Sequence, residues 1–358
     1  MAPLKSLERV YPIIDSNFQN FCSSHGIFTG IFFSSRLIPI QFSPIVTEGV
    51  APFLSPVEDF LVHDLYVLAA FAEQQPASEK LKQGITEVLS IIDAKRQPWM
   101  NGLELLEDAG ENKHILSTGC EGVDALLGGG LREGQLTEIV GPSSSGKTQV
   151  CLRAASNVAM KYNANVFYLD TGNSFSPHRI SDFVHWKSAS ALDGTEHSIL
   201  QQVMSSISCH SVFDIFAMFD VLHELEFSLR SQMCKGDRRV QLLIVDSISS
   251  LITPILAGSS SQGHALMISA GYLLKKIAHE HNIAVLVTNH TVGGDRGSSK
   301  PALGESWKSV PHVRLQLSRD PGSNFCNASI LKHSFMASGI TARFVIYESQ
   351  EGIPRTMN

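Results

Sequence analysis

Eight consecutive residues, Gly141-Pro142-Ser143-Ser144-Ser145-Gly146-Lys147-Thr148, place two glycines, a lysine and a hydroxyl at the spacing of a phosphate-binding loop. Gly141 and Gly146 let the backbone curl until successive amides converge on one concavity, and a helix starting beyond them turns its positive end to the same point. Such a loop suits a polyphosphate. Lys147 would reach the β- and γ-phosphates, and the Thr148 hydroxyl would ligate the Mg2+ of a nucleotide. The motif needs a strand before it and a helix after it. The apolar run at 136–140 and the helix-compatible run at 149–155 supply both.

Two further strand ends carry polar chemistry. Gln241-Leu-Leu-Ile-Val-Asp246-Ser247 is an apolar run closed by a carboxylate, the arrangement that holds Mg2+ through its water shell. Alone it is equally a turn cap after a strand. The phosphate loop upstream gives Asp246 a partner. Thr288-Asn289-His290 ends another run beside the expected γ-phosphate position, or simply in a solvated turn. Residues 291–304 are glycine-rich and carry Arg296 and Lys300. Cations and flexible amides of that kind suit a single-stranded phosphodiester backbone, and a plain surface loop has the same composition.

The elements that must position these groups follow from hydrophobic period. Over residues 1–100, Ile13, Ile14, Phe18 and Phe21 share a helical face, as do Leu81, Ile85, Leu89 and Ile92, which predicts a small helical domain. Gln97-Pro98 ends its last helix, and 101–114, with the polar stretch 107–113, reads as a linker. From 115 to 358 strands alternate with helices. Strands are predicted at 136–140, 166–170, 241–246 and 283–289, and helices at 146–161, 213–229 and 264–281. The expected fold is α/β with a mainly parallel sheet. Residues 30–56 fit neither domain. They are apolar but broken by Pro39, Pro44, Pro52 and Pro56, too interrupted for a membrane span, and read as an irregular insertion.

Composition narrows the classes. With 358 residues, 43% hydrophobic and 17% charged, there is room for one large core and a smaller domain. A net charge of −6 excludes a protein whose whole surface grips nucleic acid, so any such contact belongs to local loops or helix ends. Six cysteines without a CxxC pair and 14 histidines without ligand spacing read as reduced packing residues and argue against a zinc site. The first residues lack an apolar signal core, which predicts an intracellular protein. No basic cluster longer than Arg238-Arg239 or Lys275-Lys276 marks nuclear import, so composition leaves nucleus and cytoplasm open.

Leu116-Ser-Thr-Gly119, Asp124-Ala-Leu-Leu-Gly-Gly-Gly130, GPSSSGKTQ, FYLDTGNSF, LLIVDSISSLITP, LVTNHTVG and KPALGESW occur in that order. With them the chain resembles the RecA-like recombinase family, and within it the eukaryotic recombinase paralogues, the D type of plants above all. The resemblance is strong over 115–347 and looser over the amino-terminal domain. It implies a RecA-like ATPase core with ATP and Mg2+ as cofactors: Gly141 to Thr148 on the phosphates, Thr148 and Asp246 on the metal, Arg179 against adenine. His290 would stand at the γ-phosphate sensor. Residues 252–262 and 291–304, with Arg296 and Lys300, would face DNA. It further implies a nuclear protein of homologous recombination that repairs double-strand breaks, working on single-stranded DNA in a heteromeric complex. Its partners would be other recombinase paralogues, one docked by the helical domain and one by the core. The family pattern joins Thr29 almost directly to residue 57, so 30–56 reads as an in-frame unspliced or alternative segment.

The departures bear on mechanism. Active recombinases read Asp-Thr-Glu-Gly, with the Glu polarising the attacking water; this chain reads Asp170-Thr171-Gly172-Asn173. Gly172 has no side chain to serve as a base, and Asp170 would substitute only if the strand end shifted. Positioning and charge stabilisation remain, so hydrolysis is expected to be slow at most. His290 likewise replaces a Gln and brings a charge that depends on pH. A DNA-dependent ATPase that forms its own strand-exchange filament is the second reading, with Gly172 against it. A small-molecule kinase would require an acceptor pocket under a lid, which no motif marks.

Overall fold

The computed structural model describes residues 12–24, 65–95, 100–112, 114–188, 196–232, 238–256, 261–293, 299–320 and 322–346. The predicted insertion at 30–56 and Arg296 lie outside them. The chain divides into two compact units, Met1–Gly102 and Leu103–Asn358. No described helix is long and apolar enough to cross a membrane.

In the first unit, helices α1 (Ser16–Ser24), α2 (Leu65–Glu73) and α3 (Ser78–Lys95) share one core. Asp15 caps α1: its Oδ1 accepts the Phe18 amide at 2.9 Å, satisfying a donor that the helix leaves open. Ile14, Phe18 and Phe21 bury the face that their spacing predicts, against Leu68, Leu81, Ile85 and Val88. α3 comes so close that a Cβ on Gly84 would lie 2.4 Å from the Phe18 ring. The side chain of Ile92 is outside the described residues.

The stretch read as a linker carries helix α4 (Gly102–Asn112), on which Leu103, Leu105 and Leu106 are exposed. Beyond it, β1 (Ile115–Leu116) pairs with β2 (Leu131–Arg132) around α5 (Glu121–Leu126). The phosphate loop leads from β3 (Leu136–Gly141) into α6 (Lys147–Lys161). There follow β4 (Asn165–Asp170), α7 (Pro177–Ser188), α8 (Glu196–Ser206), β5 (Ile207–Ser211), α9 (Ile215–Gln232), β6 (Val240–Asp246), α10 (Ile248–Leu256) and α11 (Ser261–His281). The unit ends with β7 (Ala284–Gly293), β8 (Ser299–Pro301), α12 (Gly304–Lys308), β9 (Val313–Arg319), β10 (Phe325–Lys332) and β11 (Thr341–Val345).

The main sheet runs β11-β10-β9-β3-β7-β6-β4-β5, with β8 attached to β7. From β9 to β5 the pairs are parallel, whereas β9, β10 and β11 pair antiparallel. The four predicted strands are its centre. Strands at the centre of a parallel sheet bury both faces, which is why those runs are continuously apolar. Successive side chains point to opposite faces. Leu242, Ile244 and Leu286 therefore join the core under α6 and α7, while Leu243, Val245 and Val287 join the one under α9 and α11. Outer strands β5 and β9 to β11 were not anticipated. In β9 and β10, Val313, Leu315 and Leu317 and then Cys326, Ala328 and Ile330 are buried alternately with more polar neighbours, a shorter-period signal that a search for solid apolar runs passes over.

One buried charge joins the central strands. Glu138 of β3 is 0% exposed. Its Oε1 accepts Asn289 Nδ2 from β7 at 2.8 Å and the Trp307 indole of α12 at 2.9 Å, and its Oε2 takes the Arg314 guanidinium of β9. Removing one partner of such a pair leaves an uncompensated charge in low dielectric. We expect Arg314→Leu to lower unfolding free energy in urea by about 3–5 kcal/mol.

At the start of β3 the Leu136 amide donates to His312 Nδ1 at 2.9 Å, a bond that requires an unprotonated Nδ1. Burial first, then the cations Lys275 and Lys332, hold His312 below the ordinary histidine value. The unfolded chain therefore takes up this proton at a higher pH than the folded one, and stability falls as pH drops below about 6.5. His312→Asn keeps an acceptor that does not titrate. Its unfolding temperature should fall less than that of the wild type between pH 7.5 and 5.5.

Candidate phosphate-binding site

The loop at 141–148 has the strained geometry that its glycines predict. Gly146 caps α6 with φ +97°, and Ser144 holds φ +62°. A Cβ on Gly141 would stand 2.5 Å from Ser145 Oγ and 2.7 Å from the Leu317 carbonyl, so neither neighbour leaves room for a side chain. Pro142, Ser143 and Ser144 are exposed, and Gly146 and Thr148 are half-buried. Lys147 is 6% exposed; its ammonium donates to the carbonyls of Gly141 and Pro142, each at 2.8 Å. Burial lowers its pKa, and nearby Asp246 opposes that shift. Ser145 Oγ is buried without a hydrogen-bond partner among the described residues. A tight backbone curl, a buried cation, an uncommitted hydroxyl and a helix start together fit a polyphosphate.

The sheet brings three other predicted residues to this loop. Gly141 of β3 is in register with His290 of β7, and β6 beside β7 ends at Asp246. Asp246 is buried. Its Oδ2 accepts the Tyr168 hydroxyl at 3.0 Å, and its Oδ1 accepts the Thr288 hydroxyl. His290 is half-buried. Its amide donates to Ser249 Oγ at 3.0 Å, and its carbonyl accepts the Ala302 amide at 2.9 Å, so β7 is tied here both to α10 and to the segment after β8. Burial first and Lys147 second lower its pKa, leaving the imidazole neutral near pH 7. With Thr148 at the helix start and Asp246 opposite, the donor set suits Mg2+, which favours hydroxyl, carboxylate and water oxygens.

Asp170 has a different task. Its Oδ1 accepts the amides of Gly172 at 3.1 Å and Ser174 at 3.0 Å, and its Oδ2 accepts the Phe175 amide at 2.9 Å. It shapes the turn after β4. Asn173 there takes φ +52°, the left-handed conformation that the glycine of the recombinase pattern would adopt without a Cβ. A Cβ on Gly172 meets only Ser174 Oγ, at 4.0 Å.

Arg179, at the start of α7, is buried and held: Nε donates to Gln149 of α6 at 2.7 Å, and the guanidinium pairs with Asp182 at 3.1 Å. It also lies over the Phe183 and Trp186 rings, 4.7 and 4.9 Å from their centroids. Lys300 is exposed on β8, opposite Val292. Within the range read as a DNA-facing loop, 252–262, Ile252 is instead packed in the core under α9 and α11, because it continues the buried face of α10. Sequence reasoning passed over Tyr168, Glu138 and Trp307. Tyr168 had one usable signal, its place two residues before a strand-ending carboxylate, which puts it on the same face of the sheet.

A family model described as Rad51 matches residues 111–322. A Bos taurus protein named "DNA repair protein RAD51 homolog 4" is 39% identical over 218 residues, 61% of this chain; the match spans 65% of the bovine protein. Its Mus musculus counterpart is 37% identical over 231 residues, 64% of this chain and 68% of that one. A Dictyostelium discoideum protein named "Probable DNA repair protein RAD51 homolog 4" is 31% identical over 251 residues, 61% of this chain and 70% of that one.

The geometry separates two glycines. With ATP and Mg2+ added, the unfolding temperature of the wild type should rise and that of Gly141→Ala should not, because its Cβ forces the loop apart. Gly172→Ala, in open space, should keep that rise.

Proposed function

Because the chain belongs to the Rad51 family, we propose that it binds ATP and Mg2+ at residues 141–148 and assists homologous-recombination repair of DNA double-strand breaks with little hydrolysis. The observation that carries the second half is the turn at 170–175. Gly172 offers no carboxylate, and both oxygens of Asp170 already accept amides of that turn. The similar proteins of cattle and mouse are named for DNA repair, which supports the process.

In this reading the Lys147 ammonium, held here by the Gly141 and Pro142 carbonyls, would bind phosphate oxygens. Thr148 and Asp246 would hold the metal, which when bound would supply positive charge to the phosphates. Arg179, fixed by Gln149 one residue past Thr148, would pack against the adenine. His290 presents a neutral imidazole to the terminal phosphate. Its carbonyl bond to Ala302 leads into the segment that bears Lys300, which would meet single-stranded DNA together with Arg296. The helical domain, 1–100, and the core, 115–358, joined through 101–114, would each dock a different recombinase paralogue in the nucleus. Bound ATP then serves chiefly to hold a conformation or an interface.

The turn also supplies the test. A Glu at 172 has room, and a Gly at 173 relieves the left-handed Asn173. Gly172→Glu with Asn173→Gly should raise ATP turnover about a hundredfold, the low side of what a positioned base contributes. Lys147→Ala should remove nucleotide binding. Wild-type hydrolysis that single-stranded DNA strongly stimulates, and that the paired substitution does not increase, would establish the self-sufficient recombinase instead.

A further inference from the structure

Asp246 is held from both sides. β6 lies between β7 and β4, and each neighbour sends one hydroxyl to it: Thr288 to Oδ1 and Tyr168 to Oδ2, the latter at 3.0 Å. Strand alternation explains why both can reach. Asp170 is in register with Asp246, so Tyr168, two residues earlier, points to the same face. Thr288 lies on that face too, two residues beyond Leu286. Tyr168 is 0% exposed and stands edge-on to Phe175, with ring centroids 5.0 Å apart. The Phe175 amide is held in turn by Asp170. A line of contacts thus runs from the turn at 170–175 through Phe175 and Tyr168 to Asp246.

We propose that Tyr168 and Thr288 are positioning residues for the metal: their hydroxyls fix the orientation of the Asp246 carboxylate at the end of β6, and so set the Mg2+ affinity of the nucleotide site. This rests on the reading of 141–148 as an ATP site. Two hydroxyl donors leave each carboxylate oxygen free lone pairs for metal-bound water. They also remove the rotation that an unsupported aspartate would have to give up on binding, the part that outer partners play around metal ligands.

The experiment measures the affinity of the full chain for a fluorescent N-methylanthraniloyl-ATP, in EDTA and across a MgCl2 titration. For Tyr168→Phe, which removes one oxygen and little volume, the Mg2+ midpoint should rise about tenfold, the usual scale for a lost outer partner, while affinity in EDTA stays unchanged. Thr288→Val should do the same, and Thr288→Ser, which keeps the hydroxyl, should restore the wild-type midpoint. The Thr288 pair carries the test if Tyr168→Phe does not fold. Unchanged midpoints in a wild type that binds nucleotide overturn the clamp. So does an equal loss with and without Mg2+, which marks a merely structural role. A wild type that binds no nucleotide removes the ATP reading itself.

Discussion

The carboxylate of Glu138 sits in the middle of the sheet, where an ionised group is tolerable only with its charge and lone pairs answered. Arg314, Asn289 and Trp307 answer them from β9, β7 and α12. One side chain of β3 thereby holds three other elements. β3 ends at Gly141, in register with His290 of β7, so the pairing of these strands sets where the loop at 141–148 stands relative to the histidine beside it. Trp307 closes the motif Lys300-Pro-Ala-Leu-Gly-Glu-Ser-Trp307, and its indole ties the return from β8 into the same network. The polar centre of the sheet is thus the frame on which the site is mounted.

The two faces of the sheet divide the work. Side chains alternate along each strand. Glu138, Asn289 and Arg314 accordingly face α9 and α11 and bind the sheet together, while Tyr168, Asp246, Thr288 and His290 face α6 and the loop. Adjacent residues such as Asn289 and His290 belong to different systems and are linked only through the backbone. The same division explains the turn after β4. Asp170 lies at the strand end near Asp246, yet its oxygens are taken by three amides of its own turn.

Much of this could be read before any coordinates. The loop was legible because tight curvature around phosphate demands glycine at fixed positions, and Gly146 with φ +97° meets that demand. The four central strands were legible as solid apolar runs buried on both faces. β5 was not: Ser208, Cys209, His210 and Ser211 are exposed on an edge strand that has nothing to bury on one side. The helix at Gly102–Asn112 was hidden by its exposed, acidic composition. The sequence sets Asp170 aside as a base unless the strand end shifts; its capture by the turn is visible only in the hydrogen bonds. Ile252 ran the other way, a residue placed near DNA by motif and drawn into the core by the helix that contains it.

The sequence by itself determined the properties that depend on the type of a residue and its near neighbours: a curled glycine loop, buried parallel strands, a missing carboxylate at Gly172. Backbone freedom, periodic burial and the absence of a functional group are local facts, carried by each residue wherever the chain goes. Only the tertiary structure decided which groups meet across strands. Glu138 and Arg314 are far apart in the chain, as are Tyr168 and Asp246. Register and strand order bring them into contact, and those emerge from packing the whole sheet between its helices.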